Sequence, residues 1–148
     1  MEGKAERISM EKQRREELIA AALEARERAY VPYSHYAVGA ALLTAEGEIY
    51  RGCNVENASY GAACCAERTA FFKAVSEGKR QFAAMAVAGG MEGCDPVDYA
   101  YPCGICRQVM QELGGVDFVV VVAKSREDFV EYRLEELLPC GFGGESIK

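Results

Sequence analysis

The chain is predicted to fold as an α/β protein, a three-layer α/β/α sandwich around a mixed five-stranded sheet. Three observations carry this reading. Segments of helical and strand length follow in the order helix, strand, strand, helix, strand, helix, strand, strand, helix. The first two strands are joined by a connection so short that they must pair antiparallel. The strands at Phe82 and Val116 are linked through a helix, and such crossovers make parallel neighbours.

Each element has its own signal. From about Ile8 to Tyr30, Leu18, Ile19, Ala22 and Leu23 recur at helical spacing among charged residues, and Val31-Pro32-Tyr33-Ser34 stops the helix. Tyr36 to Thr44 is an apolar strand. The chain turns at Ala45-Glu46-Gly47 and returns as a strand from Glu48 to Asn54. A helix follows from Cys65 to Glu77, with Ala66, Ala70 and Ala74 on one stripe beside Phe71 and Val75, and Gly78 as its stop. Phe82 to Ala88 is a strand, and Gly89 to Ala100 a glycine-rich loop. Cys103 to Leu113 is a helix with Pro102 at its entrance. The β-branched run Val116 to Ala123 reads as a buried central strand. Asp128 to Tyr132 is a last strand, and Leu134 to Leu138 a short final helix.

The 148 residues suffice for one domain spanning 1–148 with a substantial core. No repeat, low-complexity tract or linker divides them. The net charge of −6 argues against a polynucleotide partner, because binding phosphates calls for a basic stripe. No apolar run approaches the length of a membrane span. Seven cysteines are an odd number, and the N-terminal stretch Met1 to Gln13 is charged and polar. Both features speak against a secreted disulfide framework and for a cytoplasmic protein with reduced thiols.

Four residues concentrate the chemistry: Cys65 and Glu67 in Cys-Ala-Glu-Arg, and Cys103 and Cys106 in Pro-Cys-Gly-Ile-Cys-Arg. Three thiolates can hold a zinc ion and leave its fourth position open, which distinguishes a catalytic zinc from a structural one. Glu67 is placed to take and return a proton there. On a regular helix Cys65 and Glu67 would lie about 200° apart. Both can face one metal only if Cys65 stands at or before the helix cap and Glu67 in the first turn. Thiolates at helix N-termini gain from the positive end of the dipole. Arg68 and Arg107 each follow a ligand closely, and their guanidinium groups can offset the charge of three thiolates. The competing arrangement is a structural zinc whose fourth ligand is Cys53, Cys64, Cys94, Cys140 or His35. The pairing of Cys-x-Glu with Pro-Cys-x-x-Cys favours the catalytic one. The other cysteines then read as small buried hydrophobes, and His35 as a loop residue.

Cys-x-Glu followed by Pro-Cys-x-x-Cys is similar to the signature described for zinc-dependent nucleobase deaminases. From Val31 to Phe142 the chain resembles the small, homotetrameric cytidine deaminases of pyrimidine salvage. The matching segments include Pro32-Tyr33-Ser34, Val38-Gly39-Ala40-Ala41-Leu42, Cys53-Asn54-Val55-Glu56-Asn57-Ala58, both cysteine segments and Glu136-Leu137-Leu138-Pro139.

The resemblance implies a cytidine deaminase-like fold, one zinc per subunit and a free pyrimidine nucleoside as substrate. It gives Asn54 and Glu56 the ribose hydroxyls, Ala66 a backbone contact to the base, and Tyr36 a place beside the nucleoside. It implies that Tyr60 and Phe142 reach a neighbouring subunit's site in a homotetramer. Two positions depart from the family. Ile105 stands where alanine is usual, next to two ligands, and Tyr36 stands where phenylalanine is usual. Phosphate on the sugar would be repelled by Glu56, so the free nucleoside is expected rather than the nucleotide.

Overall fold

The computed structural model describes residues 10–147. Its sheet has five strands in the order β2-β1-β3-β4-β5. These are β1 (Tyr36–Thr44), β2 (Ile49–Cys53), β3 (Phe82–Met91), β4 (Val119–Ala123) and β5 (Phe129–Arg133). The pairs β1–β2, β1–β3 and β4–β5 are antiparallel, and β3–β4 is parallel with Met85 beside Val120. The mixed sheet expected from the crossovers is therefore present.

Period-two alternation sorts the strand residues into two cores. Ala41, Leu43, Ala84, Ala86 and Val121 face α1 (Lys12–Ala25), which buries Leu18, Ile19 and Ala22 against them. Ala40, Leu42, Met85, Val87, Val120 and Val122 face the opposite way. They pack under α2 (Ala66–Ser76), α3 (Gly104–Gly114) and the short α4 (Leu134–Leu137). Because both faces are covered, the central strands are apolar throughout. Each fully buried Leu or Ile here contributes about 1.5–3 kcal/mol.

Boundaries differ from expectation by more than one residue in three elements, each for a physical reason. Ile8 lies outside the described residues. The α-helix itself ends at Ala25 and continues as a 3-10 turn, Arg26–Arg28. Arg26 pins this end by donating from Nε to the Ala37 carbonyl and from Nη2 to those of Met91 and Cys94. Next, β3 runs on through Gly89 and Gly90, which pair with Val38 and Ala37, where a loop was expected. A Cβ on Gly89 would come within 2.9 Å of the Ala100 Cβ, so glycine serves close approach here. Finally, β4 begins at Val119 rather than Val116. Gly115, at φ 86°, closes α3 in the left-handed region, and Phe118 turns inward against Phe71 before the ladder starts.

Candidate active site

Helices α2 and α3 start in the same way. Cys65 caps α2 at φ −74° and ψ 156°, and Cys103 caps α3 at φ −71° and ψ 170°. Both are extended, so each thiol projects from a helix mouth rather than along a helix face. Glu67 falls in the first turn of α2. The condition for Cys65 and Glu67 to approach one point is met. The two mouths meet above the end of the sheet where β1 begins and β2 and β3 finish.

The Sγ atoms of Cys65 and Cys103 are 3.7 Å apart. With Cys106, the three sulfurs all lie within 4.8 Å of one another. Tetrahedral zinc, with bonds of about 2.3 Å to sulfur, separates its thiolates by about 3.8 Å. The cluster therefore fits zinc in both donor chemistry and spacing.

A hydrogen bond from the Cys106 thiol, assisted by Arg68 and Cys103, pulls the Cys65 thiol down to about 5. The same bond, together with burial, pushes Cys106 upward, so one proton is shared between the pair. Arg68 Nη2 donates to Cys65 Sγ at 3.4 Å, the contact expected of it. Arg107 does not reach a sulfur. Its Nε donates to the Pro102 carbonyl at 2.8 Å and its Nη1 to the Leu137 carbonyl at 2.7 Å. On its longer reach from α3, the guanidinium finds two backbone acceptors first.

Thr44 and Glu67 are the only buried polar or charged side chains among the described residues, and Glu67 is 4% exposed. Burial pushes its carboxyl up to about 7, and the Cys65 thiolate adds to the shift. A carboxyl so placed can both hold and release a proton near neutral pH.

Around these groups is a cavity of about 240 Å³, lined by Tyr36, Val38, Asn54, Cys65, Ala66, Glu67, Ala100, Tyr101 and Cys103. Six of the residues singled out from sequence thus share one wall system. Tyr101 was missed. Its only sequence signal is its position before Pro102-Cys103. Asn54 is held by its own amide: Oδ1 accepts from the Val38 N–H and Nδ2 donates to the Tyr36 carbonyl, both at 2.9 Å.

Three of the residues expected to contact substrate lie outside the lining, as do Cys106 and Arg68. Glu56 accepts from the N–H groups of Tyr33 and Ser34 and from Ser34 Oγ, and the Ser34 hydroxyl leads in holding its carboxyl below the usual range. Tyr60 is 80% exposed and Phe142 56% exposed. Ile105 is also outside the lining and is exposed, so it does not shape the cavity of its own chain. His35 is an exposed turn residue paired with Glu92 at 2.7 Å. All seven cysteines are free, but Cys94 and Cys140 are exposed and Cys53 and Cys64 half-buried, so they are not the buried hydrophobes expected. Each lies in or beside a connecting segment, where the cores do not cover it.

Comparison with known proteins bears directly on this arrangement. The family model for the cytidine and deoxycytidylate deaminase zinc-binding region matches residues 12–123. A cytidine deaminase of Sporosarcina psychrophila is 50% identical over 132 residues, covering 89% of this chain and 93% of that one. The crystal structure of cytidine deaminase from Burkholderia pseudomallei is 50% identical, covers 85% of this chain and 97% of its own, and superposes with a TM-score of 0.77. A blasticidin-S deaminase of Bacillus cereus is 32% identical over 130 residues, covering 85% of this chain and 90% of that one. The match to the zinc-binding region runs through both cysteine segments and the strands that carry them, and on that ground the chain belongs to the cytidine and deoxycytidylate deaminase family.

Proposed function

We propose that this protein hydrolyses the 4-amino group of cytidine and deoxycytidine, giving uridine or deoxyuridine and ammonia. The observation that carries the reading is the buried Glu67 carboxyl, set in one cavity with Cys65 and Cys103, whose thiols cluster with that of Cys106. Cys65, Cys103 and Cys106 hold the zinc. When bound, zinc lowers the pKa of water at its open position and so supplies a nucleophile at neutral pH.

The remaining steps belong to the chain's own groups. Glu67 takes the proton from water and delivers it to N3 of the cytosine, which makes C4 electrophilic. As the water oxygen bonds to C4 and the carbon becomes tetrahedral, Glu67 takes the remaining proton from that oxygen and passes it to the amine, and the C4–N bond breaks to release ammonia. The raised pKa of Glu67 suits both directions of transfer. The Ala66 backbone and the Tyr36 ring hold the base. Asn54 keeps one Nδ2 hydrogen for a ribose hydroxyl after its bond to Tyr36. Glu56, kept ionised by Ser34 and Tyr33, accepts from the other hydroxyl and repels a phosphorylated sugar.

The assembly we propose is a homotetramer, in which Tyr60 and Phe142 complete a neighbour's site. Tyr60 stands edge-on to the exposed Tyr33, with ring centroids 6.4 Å apart, and Phe142 is itself exposed, which supports apolar contact with a neighbouring subunit. Seven free thiols support a cytoplasmic setting, and the reaction suits pyrimidine salvage.

The test is the loss of ultraviolet absorbance when zinc-loaded protein meets cytidine, cytidine monophosphate, cytosine and blasticidin S in parallel. Turnover of cytidine without the monophosphate is the expected result. Turnover of blasticidin S alone would replace the natural nucleoside with the antibiotic.

A further inference from the structure

Arg107 joins two parts of the protein that have no sequence proximity. The Pro102 carbonyl that it holds belongs to the peptide plane leading into Cys103. Fixing that plane fixes where the N and Cα of Cys103 stand, the base from which its thiol projects. The Leu137 carbonyl that it holds ends α4, where a helix leaves its carbonyls without internal partners. Beyond Leu137 the tail runs along α3 and is gripped twice more. Gln108 Nε2 donates to the Phe142 carbonyl at 2.7 Å, and the Gly144 N–H donates to Glu112 Oε1 at 3.1 Å. Gly141 is seated so closely that a Cβ there would lie 2.8 Å from Gln111 Oε1. Arg107, Gln108, Gln111 and Glu112 all stand on α3, the helix that also carries Cys106.

We propose that Arg107 is a positioning residue that makes the Cys103 loop and the C-terminal tail one mechanical unit, so that metal binding at the cysteines orders the tail bearing Phe142. The proposal rests on the reading of Cys65, Cys103 and Cys106 as zinc ligands. It extends that reading by giving α3 the task of registering the tail. Coupling of this kind is reciprocal: what loosens the tail must also loosen the metal.

The experiment is hydrogen exchange on full-length protein, following the peptide that spans residues 138–147, with zinc bound and after chelation. In the wild type, zinc removal should speed tail exchange about ten-fold, the worth of one charge-assisted hydrogen bond to a partly buried carbonyl. Arg107→Gln should lose the zinc-dependent difference, and Arg107→Lys should keep part of it. A merely structural arginine would lower the melting temperature of both forms and leave the difference intact, which would overturn the proposal. Equal tail exchange with and without zinc in the wild type would overturn it too. Should Arg107→Gln fail to fold, Gln108→Ala removes only the grip on the Phe142 carbonyl. Its zinc affinity, measured at equilibrium in competition with a chromophoric chelator, should be about five-fold weaker than the wild type's, and an unchanged affinity refutes the coupling. Zinc content and cytidine turnover of the wild type are measured separately, so failure of the deaminase reading shows there and not in the exchange data.

Discussion

The sulfurs of Cys65 and Cys103 lie 3.7 Å apart although 38 positions separate them in the chain. Each caps a different helix, and the two helix mouths are held together by the sheet beneath them. Bringing three thiols this close without a cation leaves their charges to be offset by a shared proton and by Arg68. Metal binding should therefore be coupled to stability. Wild-type protein should retain one zinc per chain by elemental analysis, and chelation should lower its melting temperature. Cys103→Ala should retain far less zinc, melt lower than the wild type, and show no further drop with chelator. A chelator response in Cys103→Ala equal to the wild type's would contradict the three-thiol site.

Glu67→Gln separates chemistry from folding. Turnover should fall by at least about 10²–10⁴, the usual contribution of a positioned acid–base group, while zinc content stays the same. Stability carries an independent signature in the metal-free protein. The Glu67 carboxyl is raised from its ordinary 4.5 to about 7 by burial. Between those pH values the folded state holds a proton that the unfolded state has lost, so Glu67 makes stability fall as pH rises through this window. The Cys65 thiol, lowered to about 5, acts in the opposite direction above that pH. Subtracting the denaturation curves of Glu67→Gln from those of the wild type isolates the carboxyl. The wild type should lose stability relative to the variant from pH 4.5 to 7.

Glu56 tests the sugar side. Three donors from Tyr33 and Ser34 fix its carboxylate at the loop that begins β1. Glu56→Gln keeps the size and removes the charge. The KM for cytidine should rise about ten-fold or more, with a smaller change in kcat, because the lost contact is to the ribose and not to the reacting carbon. The discrimination between cytidine and cytidine monophosphate should narrow in the same variant. An unchanged ratio would remove Glu56 from the sugar pocket.

Spacing in the chain was enough to place Cys65 and Cys103 at helix mouths and to give the order of helices and strands, because both follow from local periods of two and 3.6 residues. What it could not show is where backbone acceptors gather. Arg107, whose guanidinium the spacing allowed near the sulfurs, serves the carbonyls of Pro102 and Leu137, a choice set by tertiary packing alone. Gly89 and Gly90 carry the usual mark of a loop, yet their role is to let Ala100 and Pro96 press against β3. Tyr101 reaches the cavity only because that loop folds back over the sheet.

Gly52 gives a last prediction about how α2 is held. It lies in β2 opposite Ala40, directly beneath the first turns of α2. A Cβ at this position would stand 2.5 Å from both the Ala66 carbonyl oxygen and the Ala70 nitrogen. These are backbone atoms of the helix that carries Glu67, so no side-chain rotation relieves the clash and the helix must move. Gly52→Ala should therefore cost about 1–3 kcal/mol in stability, as overpacking does. It should also reduce kcat by up to about 10², the penalty for displacing a catalytic group by an ångström. Gly61, where a Cβ would meet nothing within 4 Å, is the control, and Gly61→Ala should leave stability and kcat near the wild-type values. Full activity in Gly52→Ala would show that α2 can shift without disturbing Glu67, and that the tight seat of this helix on β2 does not set the position of the carboxyl.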